Sequence, residues 1–276
     1  MIELSDFHIH PGYSVDARGT IRQYCDRALE IGIRHICFTT HYDLNPKRTE
    51  LDAYWRKDGR KILVTDALVE EYLNEIERAR GLFAPFGLHI YRGMEFDYFD
   101  GVEEEAERIR GLFPVDFAIG SVHCLDDIAI SDKKEAPSYF NNKTLGRMAD
   151  DYFALLRRAA EVPGFDCLGH LDYYIRYGRE YYGNEIDRIE IERFDPVFSA
   201  LIKNDKGIEI NTSPYRYGAK YFHPKQQIIE RAIEAGVRIV SVGSDSHKPS
   251  QLGGGIKDAY AFLKKHNVAP LFPKAK

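Results

Sequence analysis

No apolar run in the 276-residue sequence approaches membrane-spanning length, there is no low-complexity linker and no basic tract, and cysteine is scarce. Crossing a bilayer takes about 20 consecutive apolar residues, so no membrane role is expected. The opening MIELSDFHIH lacks a charged segment followed by a long apolar core, so no secretory signal is expected either. With a net charge of −5 and no clustered lysine or arginine, an electrostatic grip on nucleic acid is not indicated. The four cysteines, Cys25, Cys37, Cys124 and Cys167, are widely spaced with no C-x-x-C pair, and read as buried reduced thiols of a cytoplasmic protein. Cys124 directly follows His123 and in a strand would face away from it, so it is not counted as a ligand. Without internal repeats or a linker, residues 1–276 are expected to form one domain.

What the chain does have is a regular alternation. Apolar segments of strand length fall at 2–9, 34–40, 88–94, 115–122, 165–169, 207–211 and 237–242. Helical spacing separates several of them: Ile21, Tyr24, Cys25, Ala28 and Leu29 before a Gly32 stop, then 66–83, 142–161 and the stretch that ends at Gly236. Strands alternating with helices imply parallel pairing and right-handed crossovers. Seven of them predict an α/β fold, a closed or nearly closed barrel, with an open doubly wound sheet as the alternative. The polar stretches 44–62 and 125–141 and the tyrosine-rich 173–184 are expected to be long loops over one barrel mouth.

The first strand ends in His8 and His10. Period-two alternation puts both imidazoles on one face, with Phe7 and Ile9 on the other. Two imidazoles side by side are costly as core filler and natural as ligands of one metal ion. Ten histidines in 276 residues predict about 0.4 His-x-His pairs by chance, so the motif needs further ligands to carry weight. They are present. His41, Glu95, His123 and His170 each follow an apolar strand, and Asp245 and His247 follow the last one. With Asp16, nine metal-competent side chains lie at the C-terminal ends of predicted strands, the rim where barrel active sites form. Singly, each has an ordinary reading: Asp16 could cap the helix near residue 20, and Asp245 could cap a following helix. His35, His89 and His266 read as structural. His223 could either start a helix or reach the site from a mouth loop.

The set DFHIH, TTHYD, GMEFDY, GSVHCLD, LGHLDYY, EINTS and GSDSHKP resembles the PHP (polymerase and histidinol phosphatase) family of metal-dependent phosphoesterases, and within it the histidinol-phosphate phosphatase branch. The resemblance runs from residue 6 to about residue 265. It implies a distorted seven-stranded (β/α)7 barrel with three divalent ions at the C-terminal ends of the strands. By motif, His8, His10, Glu95 and Asp245 would hold the first ion. Glu95 would bridge to a second ion, also held by His123 and His170. Asp16, His41 and His247 would hold the third. Some relatives carry histidine where this chain has Asp16, which makes the third site richer in carboxylate. Imidazole and carboxylate ligands together suit Mn, Fe or Zn.

The chemistry expected of such a cluster is phosphate ester hydrolysis. Three divalent ions, three ionised carboxylates (Asp16, Glu95, Asp245) and one bridging hydroxide leave roughly two positive charges, which match a phosphate monoester dianion. The hydroxide would attack phosphorus in line with the leaving alkoxide, with Glu95, Asp245 and His123 the residues expected to be central to catalysis. Arg176 in YYIRYG and Arg216 in SPYRYG follow strand-end motifs among tyrosines and are the candidate phosphate ligands. The expected substrate is small and phosphorylated, L-histidinol phosphate first, with another small phosphate ester as the alternative. A nuclease would need a basic groove, and a metal-binding domain without turnover should have lost ligands. Ser121 and Ser244 are given hydrogen-bonding roles, and QLGGGIKDA reads as a connection to the last helix.

Overall fold

Strands that feed helices must return parallel, and the chain does so seven times. The computed structural model describes residues 3–271, so residue 2 of the expected first strand lies outside the described residues. Strands β1 (Leu4–Ile9), β2 (Ile33–Tyr42), β3 (His89–Asp97), β4 (Phe117–Ser121), β5 (Cys167–Leu168), β6 (Gly207–Asn211) and β7 (Arg238–Gly243) pair in sequence order, every pair parallel. All seven expected strands are present. Each is followed by a helix: α1 (Ile21–Ile31), α2 (Asp66–Phe83), α3 (Val102–Leu112), α4 (Leu145–Ala159), α5 (Asp195–Lys203), α6 (Gln226–Glu234) and α7 (Ile256–Lys265). α1 starts at a capping box, in which the Thr20 hydroxyl accepts the Gln23 N–H and the Gln23 side chain accepts the Thr20 N–H. It stops at Gly32, whose φ of 79° suits glycine. Thr20 therefore does the capping, and Asp16 is left for another role.

Two apolar clusters divide the core. The larger joins the helices to the outer faces of the strands. The smaller, Phe7, Cys37, Tyr91, Phe117, Ile119, Cys167 and Val240, draws on six strands and so fills the barrel interior. Stepping by two from these residues gives the interior positions nearer the C-terminal rim: His41 from Cys37, Glu95 from Tyr91, Ser121 and His123 from Ile119. The barrel's own pleat thus sets the polar site on an apolar plug. β1 departs from strict alternation. Phe7 lies in the inner cluster and Ile9 in the outer one, so they do not share a face as expected. The register against β2 shifts between Asp6 and Ile9, and this irregularity brings His8 inward directly after Phe7.

β7 and β1 share no regular ladder, and the seam between them is closed locally. The His10 N–H donates to the Ser246 carbonyl (2.8 Å) and the Ser246 N–H to the His8 carbonyl (3.2 Å). The buried Asp6 carboxylate accepts from the Ser244 N–H (2.8 Å), the Ser244 hydroxyl (2.5 Å) and the Gly253 N–H (3.0 Å).

The three stretches expected to be loops carry structure of their own. Within 44–62 lies most of a hairpin, Tyr54–Lys57 against Arg60–Leu63, turning at Asp58 and Gly59, both with positive φ. Its Trp55 is buried and donates from Nε1 to the His41 carbonyl (2.5 Å). Burying a side chain of that size contributes about 2–3 kcal/mol, enough to fix the hairpin beside His41. A second small hairpin, Cys124–Leu125 with Ile128–Ala129, and a helix Ala136–Phe140 occupy 125–141. The tyrosine-rich stretch is largely a helix, Ile175–Tyr182. Among the described residues no helix is long and apolar enough to cross a membrane.

Candidate metal centre

Glu95, fully buried near the end of β3, is the hub. Its Oε2 lies 3.2 Å from His8 Nε2, 3.5 Å from His10 Nε2 and 3.0 Å from His41 Nδ1. Its Oε1 lies 3.0 Å from His170 Nε2 and 3.5 Å from His123 Nε2, and accepts the Ser121 hydroxyl at 2.6 Å. Asp245, in the turn after β7, places Oδ1 3.5 Å from His10 Nε2, 4.0 Å from His8 Nε2 and 3.4 Å from His247 Nδ1. Asp16 completes the set, 3.0 Å from His247 Nε2 and 3.8 Å from His41 Nε2. All nine side chains singled out in the sequence thus meet, although Asp16 comes from a loop and the rest from strand ends.

The donor set fits metal ions. His8 Nε2, His10 Nε2, His41 Nδ1 and Glu95 Oε2 are buried, converge, and have no hydrogen-bond partner. Orphaned buried polar atoms are costly, and divalent cations at their centre would satisfy all four at once. Several sets of three, among them His8–His10–Glu95, His10–His41–His247 and Glu95–His123–His170, bring their ligand atoms within 4.8 Å of one another. Burial pushes His10 well below the ordinary imidazole range, with His41 and His247 adding to it. Burial likewise pushes His123 down to about 3 against the pull of Glu95. Both rings are therefore neutral near pH 7, the form that ligates. Burial alone would raise Glu95 and Asp245, but neighbouring groups, His8 foremost, hold both well below the usual carboxylate range.

A cavity of about 410 Å³ opens onto this cluster. Asp16, His41, Glu95, His123, His170, Asp245 and His247 line it, while His8 and His10 are fully buried and off its lining. Arg176 and Arg216 line it too. Arg216 reaches within 3.4 Å of Asp245 Oδ2. Arg176, on the first turn of the 175–182 helix, donates to the Tyr173 hydroxyl and lies over the Tyr173, Tyr177 and Tyr217 rings. Asp43 and Asp97 also line it, and burial raises their carboxyl groups, Asp97 to about 7.

Other histidines fall elsewhere. His35 and His89 stack at the N-terminal ends of their strands (4.6 Å), and His266 lies 3.4 Å from Glu230. His223 takes neither expected role. It precedes α6 without capping it and, held to Asp172 at 2.5 Å, lines a separate adjoining cavity. Asp245 caps no helix, since the short 249–251 turn begins after Lys248.

The buried acid beside His8 was missed. Glu209 on β6 accepts from His8 Nδ1 at 2.7 Å. Its signal was present in GIEIN: Glu209 and Asn211 repeat at period two inside an apolar strand, as His8 and His10 do.

The model of the PHP domain matches residues 6–213. A protein of Deinococcus radiodurans named "Probable histidinol-phosphatase" is 31% identical over 94% of this chain and 92% of its own length. The "Histidinol-phosphatase" of Lactococcus lactis is 27% identical over 94% and 90%. The crystal structure of a histidinol phosphate phosphatase from Lactococcus lactis, complexed with zinc, L-histidinol and phosphate, superposes with a TM-score of 0.77 at 24% identity, covering 98% of this chain and 96% of that one, and shares the fold. The chain therefore belongs to the PHP family.

Proposed function

We propose that the protein hydrolyses L-histidinol phosphate to L-histidinol and phosphate, with residues 1–276 acting as one domain and up to three divalent ions held at the barrel rim. One observation carries the reading: nine side chains from seven segments of the chain converge in one cluster around Glu95, with four orphaned ligand atoms facing inward. The names of the relatives support the substrate.

In this reading His8, His10, Glu95 and Asp245 hold one ion, Glu95, His123 and His170 a second, and Asp16, His41 and His247 a third. Bound there, divalent ions supply Lewis acidity toward a water and a phosphoryl oxygen. The chain's own residues do the rest. Glu95 presents its two oxygens to different histidine groups, so one side chain fixes the spacing between neighbouring sites. Ser121 holds Oε1 in place through its hydroxyl. Arg176 and Arg216 meet phosphoryl oxygens from the cavity wall, where planar guanidinium groups match the anion's geometry. The volume of about 410 Å³ suits a small monoester. Asp43 and Asp97 line the same cavity as the arginines, so it offers both cationic and acidic groups.

A phosphate-release screen over small monoesters, with Mn, Fe or Zn supplied, tests the reading. Histidinol phosphate should give the highest kcat/KM. A strong preference for a monoester of another class would replace the substrate, and no release from any of them would end the reading.

A further inference from the structure

We propose that Glu209 is a positioning residue for the metal centre: it fixes the tautomer and orientation of His8 and, through the His170 backbone, ties together ligands from two sides of the barrel. The inference rests on the metal reading above.

Glu209 is fully buried, and among the described residues its one ion-pair partner is His8, with no lysine or arginine in reach. A carboxylate so placed is expensive unless nearby charge compensates it. Its contacts say where that charge belongs. Oε1 accepts from His8 Nδ1 at 2.7 Å, and Oε2 accepts the backbone N–H of His170 at 3.3 Å. The Asn211 amide donates to Oε2 at 3.3 Å and steadies the group from two residues along the strand. An imidazole that donates from Nδ1 keeps its lone pair on Nε2. That Nε2 is the atom directed at Glu95 and Asp245, and it is buried without a hydrogen-bond partner. A cation there would meet the Glu209 charge across one imidazole ring, the arrangement by which a carboxylate raises the basicity of a ligating histidine.

The fold leaves room for this pair and little more. A Cβ on Gly243 would fall 2.5 Å from Glu209 Oε1 and would collide with the His8 Cβ. β7 thus passes the Glu209–His8 pair with bare backbone.

The test compares wild type, Glu209→Gln and Glu209→Leu. Zn²⁺ affinity is measured by titration of metal-stripped protein, and the His8 tautomer by ¹⁵N NMR of the Zn²⁺-loaded protein. Glu209→Gln keeps an acceptor for Nδ1–H without the charge. It should retain the Nδ1–H tautomer and weaken the tightest Zn²⁺ site by about 10-fold. Glu209→Leu should lose the tautomer preference and weaken that site by about 100-fold, the upper end for a partner of this kind. Should Glu209→Leu fail to fold, the affinity and spectrum of Glu209→Gln decide. Wild-type Zn²⁺ affinity in Glu209→Gln, or His8 protonated on Nε2 in the Zn²⁺-loaded wild type, would overturn this role and leave the metal reading standing. A wild-type protein that binds no Zn²⁺ would overturn both.

Discussion

Replacing Glu95 by glutamine is isosteric and removes one charge from the centre of the cluster. Both carboxylate oxygens are committed: Oε2 faces His8, His10 and His41, and Oε1 faces His123 and His170. A glutamine can keep one oxygen as a weak neutral ligand. Its NH₂ end can only donate, toward nitrogens that are themselves needed as ligands. The substitution therefore forfeits two charge-assisted contacts, each about 2–3 kcal/mol. A loss of about 4–6 kcal/mol corresponds to a fall of roughly 10³–10⁴ in kcat/KM. The assay is phosphate release from histidinol phosphate, paired with elemental analysis of the same protein. Metal content should fall along with turnover, and circular dichroism should show the barrel intact. Wild-type turnover with a full metal complement would refute the role given to Glu95.

Arg216→Ala should cost roughly 10²–10³ in kcat/KM, the scale for one preorganised group on developing phosphoryl charge. Arg216→Lys should recover little of it, because a point charge does not reproduce the planar fork; unchanged kinetics in either variant would remove Arg216 from substrate binding. Lys206 lies buried against the Val162 carbonyl, and burial lowers it from 10.5 to about 8. Between those values the unfolded chain binds more protons than the folded one, so folding stability should rise with pH across that window. In denaturant titrations the stability difference between wild type and Lys206→Met should therefore move in favour of wild type from pH 8 to pH 10.5; a flat difference would contradict the burial argument.

The strands could be read from sequence because each is a short apolar run with no competing pattern, and their ligands because a histidine or acid at the end of such a run breaks it visibly. Helix α2 was equally plain, with Tyr72, Leu73, Ile76, Ala79 and Phe83 at helical spacing. The mouth was harder. The Tyr54–Leu63 hairpin is short and mostly polar, and its one strong sign, Asp58-Gly59 between two extended runs, went unread. The 175–182 helix carries arginine, tyrosine and glycine, a composition that speaks weakly for any element. The inward turn of His8 after Phe7 depends on a register shift, which is set by the partner strand and not by local sequence. Glu209 looked like an ordinary strand residue because its partner, His8, is 201 positions away.

The most direct measurement is a crystal structure of the Zn²⁺-loaded protein with anomalous data collected at the zinc edge. Peaks should lie between Glu95 and its surrounding histidines, about 2.0–2.2 Å from His8 Nε2, His10 Nε2 and the nearer Glu95 oxygens. An empty cluster, with zinc found only on surface carboxylates, would contradict a metal centre at this rim.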